Sequence, residues 1–295
     1  MSIKHPVIAV TGSSGAGTTT VKRSFEQIFR RENINAAILE GDSFHNVTRA
    51  EFAAAVRIAE ENHRQPPSHF GPECNYFERI EEAFRTYGET GQCQRRYYIH
   101  SDAEAAEVNA QYNASLKPGE FTPWETIPAG SDVLFYEGLH GGVVTDKVNV
   151  AKHVDLLIGV VPIVNLEWIQ KIHRDTGERG YSAEAVTQTI LRRMPDYVEY
   201  ICPQFSNTDI NFQRVSTVDT SNPFVARDIP TLDESFVVIR FSDPKKADFD
   251  YLLAMIKDSF MSRRNTIVVP GGKMGFAMQL ILTPLIKDLI EKRNA

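Results

Sequence analysis

Close to the N-terminus an apolar run, Val7-Ile8-Ala9-Val10, passes directly into Gly12-Ser13-Ser14-Gly15-Ala16-Gly17-Thr18-Thr19, and a helical pattern over 21–31 follows. A buried strand, a glycine-rich turn and a helix in that order restrict the fold more than any other feature of the chain. The glycines let the backbone curl around a phosphate, while successive N–H groups and the helix N-terminus supply positive potential. Gly12, Ser13, Ser14, Gly15, Ala16, Gly17, Thr18, Thr19 and Thr20 are therefore the expected nucleotide-binding residues, and the Thr19 hydroxyl holds the position that normally meets Mg²⁺. The plain alternative is a tight strand-to-helix turn. One position departs from the pattern G-x-x-x-x-G-K-[ST]: Thr18 stands where lysine is expected. Either nucleotide turnover has been lost or another cation substitutes. Lys22, one helical turn further on, is expected to point away from the loop. Glycines at 12, 15 and 17 do not form G-x-G-x-x-G, so a dinucleotide fingerprint is ruled out.

The rest of the chain alternates short apolar runs with amphipathic stretches, which predicts an α/β fold with a mostly parallel sheet flanked by helices. Strands are expected at 36–39, 97–99, 133–136, 156–161, 237–241 and 267–269. Helices are expected at 52–62, 76–87, 164–179, 183–200, 247–261 and 274–292. No repeat or low-complexity linker divides the 295 residues, so one domain is expected, with 112–128 as an irregular excursion. A net charge of -6 argues against a nucleic-acid partner. No run approaches the roughly 20 apolar residues of a membrane helix. The first residues lack the plan of a secretion signal, and three cysteines without a C-x-x-C pair fit a reducing compartment. A soluble cytoplasmic protein is expected.

Three further clusters bear on chemistry. Val133-Leu134-Phe135-Tyr136-Glu137-Gly138 is an apolar strand ending in a carboxylate, and Glu137 is a candidate for Mg²⁺ or its water shell. Asp42 lies just past the second strand, where it can reach the phosphate loop and take a proton from an attacking hydroxyl. His45 and Arg49 follow it and suit an anionic acceptor. The competing reading makes Asp42 a helix cap and Arg49 a solvated charge. In Lys171-Ile172-His173-Arg174-Asp175-Thr176-Gly177-Glu178-Arg179-Gly180, the spacing puts Lys171, Arg174 and Asp175 on one helix face, with glycines loosening the end. A surface ion-pair ladder competes there with a lid that supplies the cation absent at Thr18.

Position by position, Lys171-Ile172-x-Arg174-Asp175-x-x-x-Arg179-Gly180-x-Ser182-x-Glu184 resembles the signature of the phosphoribulokinases, and His69 to Phe77 resembles their F-x-P-x-x-N-x-F segment. The resemblance runs from about Ile8 to the C-terminus and fits the bacterial type. It implies a P-loop kinase fold like that of nucleoside-monophosphate kinases, and ATP- and Mg²⁺-dependent phosphorylation of ribulose 5-phosphate in the Calvin cycle. Carried over, Asp42 becomes the general base, and Lys171 and Arg174 become lid cations for the transferring phosphoryl group. Asp175 becomes a second essential carboxylate and a candidate metal ligand. His45, Arg49, His100, Arg179 and Arg193 fall to substrate binding, with a core or surface role as the alternative for His100 and Arg193. The bacterial type further implies a homo-oligomer activated by NADH and restrained by AMP. Plant-type members keep the loop lysine and a nearby regulatory cysteine; Thr18 and Ala16 stand here instead, which excludes thiol switching at the loop. Rival readings are a uridine or pantothenate kinase of the same superfamily, and a nucleotide-sensing module without catalysis. Neither explains a site provisioned with His45, Arg49 and Arg179 beside Asp42, Asp175 and a basic lid. Pro270-Gly271-Gly272-Lys273 reads as a plain turn.

Overall fold

A computed structural model describes residues 4–12, 18–177 and 180–294. Eight strands form one sheet. In chain order they are β1 (Val7–Gly12), β2 (Ala36–Glu40), β5 (Val133–Gly138), β6 (Leu156–Pro162), β7 (Ile210–Ser216), β8 (Ser235–Phe241), β9 (Phe260–Arg263) and β10 (Thr266–Pro270). The two remaining strands, β3 (Gln94–Arg95) and β4 (Glu125–Thr126), pair with each other elsewhere. The order across the sheet is β2-β5-β1-β6-β7-β8-β10-β9. The first five strands are mutually parallel, and the last three continue antiparallel.

Both faces of β1, β5 and β6 are covered, which is why these strands read as unbroken apolar runs. On one face Ile8, Val10, Val133 and Phe135 meet Val21, Phe25, Ile28 and Phe29 of α1 (Thr18–Arg31). The C-terminal helix α8 (Met274–Asn294) closes the same cluster with Met278, Ile281, Leu282 and Ile286. On the other face Val7, Ala9, Leu134 and Tyr136 pack against Phe77, Ile80, Phe84 and Tyr87 of α3 (Phe77–Thr90). The remaining helices are α2 (Arg49–Glu61), α4 (Asp102–Tyr112), α5 (Val164–Gly177), α6 (Ala183–Asp196) and α7 (Phe249–Met255).

Several expectations need correcting. No strand forms at 97–99; Tyr98 makes a lone bridge to Phe121, because the Tyr97 N–H is taken by the Thr122 hydroxyl. The helix expected over 247–261 stops at Met255, a left-handed Asp258 (φ 65°) turns the chain, and β9 follows. The helix expected to reach 200 ends at Asp196 and continues as a wider-wound segment, Tyr197–Ile201. Pro195 lies just before this change, and a proline lacks the N–H that the regular ladder uses. Helix α4 and strands β7 and β9 had no expectation: α4 buries only Ala105, and β7 is interrupted by Asn211, Gln213 and Arg214. Pro270 to Lys273 is indeed a turn.

Candidate active site

Adjacent parallel strands end at one edge of the sheet, and the topology sets β1 between β5 and β6 there. Gly12 ends β1 so close to β6 that a Cβ would lie 2.5 Å from the Val160 carbonyl oxygen. Ser13, Ser14, Gly15, Ala16 and Gly17 fall outside the described residues; Thr18, Thr19 and Thr20 open α1. Next to β1, β5 carries Glu137 level with Val10, and β2 brings Glu40 level with Glu137. Beyond these strand ends the chains converge further. A Cβ on Gly41 would sit 2.7 Å from the Gly138 Cα, and one on Gly138 would sit 2.6 Å from the Gly41 Cα. Only glycine permits this approach, and it delivers Asp42, in the helical turn Gly41–Phe44, to the same crevice as Glu137.

The Asp42 carboxylate faces two imidazoles. His45 Nε2 lies 3.8 Å from one oxygen and His100 Nε2 lies 3.9 Å from the other. His100 is presented by α4, the helix without a sequence signal: Ser101 caps it, and the Glu104 carboxylate accepts the His100 N–H at 2.7 Å. Arg49 begins α2 behind a reciprocal cap between Thr48 and Glu51. Its backbone N–H donates to Gly119 O at 2.9 Å, and its guanidinium donates to His100 O at 3.3 Å. Asp42, His45, Arg49 and His100, separate in the chain, are thus neighbours in space.

Support for this group comes from residues to which the sequence assigned no site role. His69 is sandwiched between Phe52, at 4.0 Å between ring centroids, and His45, at 4.4 Å. Burial, with the His45 and Arg193 charges adding to it, drives His69 down to about 2, so this ring is neutral and stacks without repelling its neighbour. Burial likewise lowers His45, against the pull of Asp42. His140, 2% exposed, is pushed to about 3 by burial and donates from Nε2 to Phe70 O at 3.0 Å. Arg96 lies against the rings of Phe121 and Trp124, at 3.7 and 4.6 Å from their centroids. From there it donates to Ser43 O at 2.8 Å and to His45 O, fixing the backbone on both sides of Phe44. Five aromatic or basic residues within six positions, Arg95, Arg96, Tyr97, Tyr98 and His100, are the available signal for Arg96; the expected strand at 97–99 lies just beyond it.

Facing this group are α5 and α6. Asp175 is buried at 5% exposure between Lys171 Nζ at 2.5 Å and Arg174 Nε at 3.1 Å. Burial alone would raise the Asp175 pKa, but the two cations win and hold it below the usual carboxylate range. Burial lowers Lys171 by more than the carboxylate restores. Arg193 of α6 lies near the rings of Phe52 and Phe70, and its charge is felt at His45, His69 and Lys171. It therefore stands between the acceptor-side histidines and the lid cations. Arg179 falls outside the described residues.

Glu137 suits a hard divalent cation. Burial, opposed by Lys22 and reinforced by the Glu40 and Asp42 charges, pushes its carboxyl up to about 7, the state of an acid short of positive charge. The Lys22 side chain is exposed, and its charge acts on Glu137 only by partly offsetting the effect of burial. Among the described residues no group of three or more His, Cys, Asp or Glu is placed to hold a metal. Mg²⁺ keeps waters and takes phosphate oxygens beside one or two carboxylates. Cys74 and Cys93 are buried, and burial raises them to about 11 and about 12, so neither is a ready thiolate.

A glycine-rich sequence between β1 and α1, an acidic strand alongside β1 and a cationic helix pair facing a carboxylate define a P-loop kinase. The family model described as "Phosphoribulokinase / Uridine kinase family" matches residues 7–221. The chain belongs to the phosphoribulokinase / uridine kinase family. It is 64% identical over 293 residues to a phosphoribulokinase of Nitrobacter vulgaris, covering 99% of this chain and 98% of the relative. It is 61% identical over 294 residues to the chromosomal phosphoribulokinase of Cupriavidus necator, covering 100% and 99%. Its fold superposes on the solved phosphoribulokinase from Rhodobacter spheroides with a TM-score of 0.90, at 53% identity and full coverage of both chains. No helix among the described residues is long and apolar enough to cross a membrane.

Proposed function

We propose that this enzyme transfers the γ-phosphoryl group of ATP to the C1 hydroxyl of ribulose 5-phosphate, forming ADP and ribulose 1,5-bisphosphate for the Calvin cycle. The observation that carries the reading is the placement of Asp42 between His45 and His100, with Arg49 beside them, at the sheet edge shared with Glu137. Asp42 takes the C1 hydroxyl proton as the new O–P bond forms. Arg49, His45, His100, Arg179 and Arg193 hold the anionic acceptor, and charged groups there match a sugar phosphate better than a neutral nucleoside. Lys171 and Arg174 stabilise charge on the transferring oxygens, standing in for the lysine absent at Thr18. Gly12 to Thr20 cradle the nucleotide phosphates.

Glu137, with the Thr19 hydroxyl and Asp175 as further candidates, would hold Mg²⁺, which when bound neutralises phosphate charge. Both Asp175 oxygens are engaged by Lys171 and Arg174, so Glu137 is the better ligand. We read the 295 residues as one catalytic domain with a lid over about 164–200, working in the cytoplasm as a homo-oligomer. Activation by NADH and restraint by AMP follow from resemblance to the bacterial type.

The test is ADP release from Mg·ATP with ribulose 5-phosphate, uridine, pantothenate or no acceptor. Turnover with ribulose 5-phosphate alone is expected. Equal rates with all four, or turnover without acceptor, would remove the sugar-phosphate kinase reading. Rate measurements with NADH or AMP added, and the mass in solution, test the regulatory and oligomeric parts.

A further inference from the structure

The described residues hold one side-chain amide that joins three parts of the catalytic apparatus. Gln204, 1% exposed, lies in the turn Cys202–Ser206 that follows the lid helices. Its Oε1 accepts from the Thr11 hydroxyl at 2.8 Å and from the Gly142 N–H at 2.9 Å. Its Nε2 donates to Leu139 O at 2.9 Å and to Tyr200 O at 2.7 Å. Two bonds accepted and two donated are an amide's usual full complement. The partners also fix which end is oxygen, because only NH₂ can face two carbonyls.

The positions of those partners give the amide its meaning. Thr11 immediately precedes Gly12 in β1. Leu139 follows Glu137 by two residues, just past the end of β5, and Gly142 lies in the same loop. Tyr200 belongs to the wide-wound segment through which α6 leaves the lid. The two lid helices are tied to each other at the same end, where the Tyr197 hydroxyl donates to the buried Glu167 carboxylate at 3.0 Å. A displacement of the lid root therefore reaches the start of the phosphate loop and the metal carboxylate through a single rigid, saturated group.

We propose that Gln204 is a positioning residue that couples lid closure to the alignment of the phosphate loop and Glu137. The proposal rests on the phosphoryl-transfer reading above. It assigns Gln204 no contact with substrate. Its effect must pass through the lid, so it must vanish when the lid cation is already gone. Misplacing reacting groups by about 1 Å costs on the order of 10²-fold in rate. Residues acting as one unit give non-additive losses.

The test measures kcat and both KM values for Gln204→Leu, Lys171→Met and the double variant, using whichever acceptor the wild-type enzyme phosphorylates. Failure of the acceptor assignment is then seen in the wild type, separately from failure of the coupling. Gln204→Leu is expected to lower kcat about 10- to 100-fold with the acceptor KM little changed. In the Lys171→Met background the same change is expected to cost less than about threefold. Thr11→Val, which removes one hydroxyl from the network, keeps the test decisive if Gln204→Leu does not fold. Thr11→Val should reproduce the same pattern, whereas Thr11→Ser should stay near wild type. Losses that multiply in the double variant would overturn the proposal, as would a kcat within twofold of wild type for a folded Gln204→Leu, or for Thr11→Val where Gln204→Leu does not fold.

Discussion

Replacing Lys171 by methionine tests how a P-loop enzyme works with Thr18 where the loop lysine belongs. The substitution keeps an unbranched, largely apolar stem, with sulfur in place of one methylene, and removes the ammonium. Lys171 Nζ sits 2.5 Å from Asp175 Oδ2, and its side chain is 15% exposed, so the charge is largely out of solvent. Two effects are expected, of different size. On catalysis, loss of one preorganised cation costs about 3–4 kcal/mol of transition-state stabilisation, or about 10²–10³ in kcat. On stability, Asp175 loses one charged hydrogen bond but keeps Arg174 at 3.1 Å, so the cost stays near the single-bond range of about 1.5–3 kcal/mol. A protein with less than that margin would be visibly unfolded, so the melting curve comes first. The assay is then kcat with saturating Mg·ATP and ribulose 5-phosphate, alongside nucleotide affinity, which should barely change because a lid cation acts on the closed state. Thr18→Lys added to Lys171→Met should restore only part of the rate, since its charge enters from the β-phosphate side. A folded Lys171→Met enzyme with kcat within about threefold of wild type would refute the reasoning, and Lys22, whose charge partly offsets burial at Glu137, would be the next cation to remove.

Asp42→Asn should lower kcat by about 10²–10⁴ while leaving ATP binding intact, and a variant with more than half the wild-type rate would dispose of the general-base assignment. Arg49→Ala should raise the KM for ribulose 5-phosphate more than that for ATP, because the contact is remote from the bond being made; the reverse would move Arg49 to the nucleotide side. His140, held neutral by burial with its pKa lowered to about 3, takes no proton in the folded state above that pH. The unfolded chain does take one below about pH 6.5, so this contribution to stability is intact above 6.5 and is lost as pH falls toward 3, at about 1.4 kcal/mol per pH unit. Denaturant titrations of wild type and His140→Gln at pH 6.5, 5.5 and 4.5 should show a shallower acid loss in the variant; parallel losses would mean that His140 is not the group being protonated.

The sequence alone determined whatever rests on local pattern. Continuous apolar runs at β1, β5 and β6 marked strands buried on both faces, and the glycine-rich sequence between β1 and α1 pointed to the kinase family to which the chain belongs. The spacing of Lys171, Arg174 and Asp175 placed them on one helix face, where they do form ion pairs. Local pattern failed where a segment takes its structure from distant partners. Helix α4 has almost no buried face, yet it presents His100, fixed by one cap and one carboxylate. β7 has polar residues at Asn211, Gln213 and Arg214, the last two adjacent, but is held by β6 and β8 on either side. The segment 97–99 looked like a strand, although its neighbours turn inward so that Arg96 can hold Ser43 and His45. Which ionisable groups from distant parts of the chain share a site was decided by the tertiary structure. Asp42 meets His100 across 58 positions, and the touching of Gly41 and Gly138 sets Asp42 in the same crevice as Glu137. The neutrality of His69 and the high pKa of Glu137 follow from desolvation, which depends on what the whole fold packs around a group and is not written in the residues beside it.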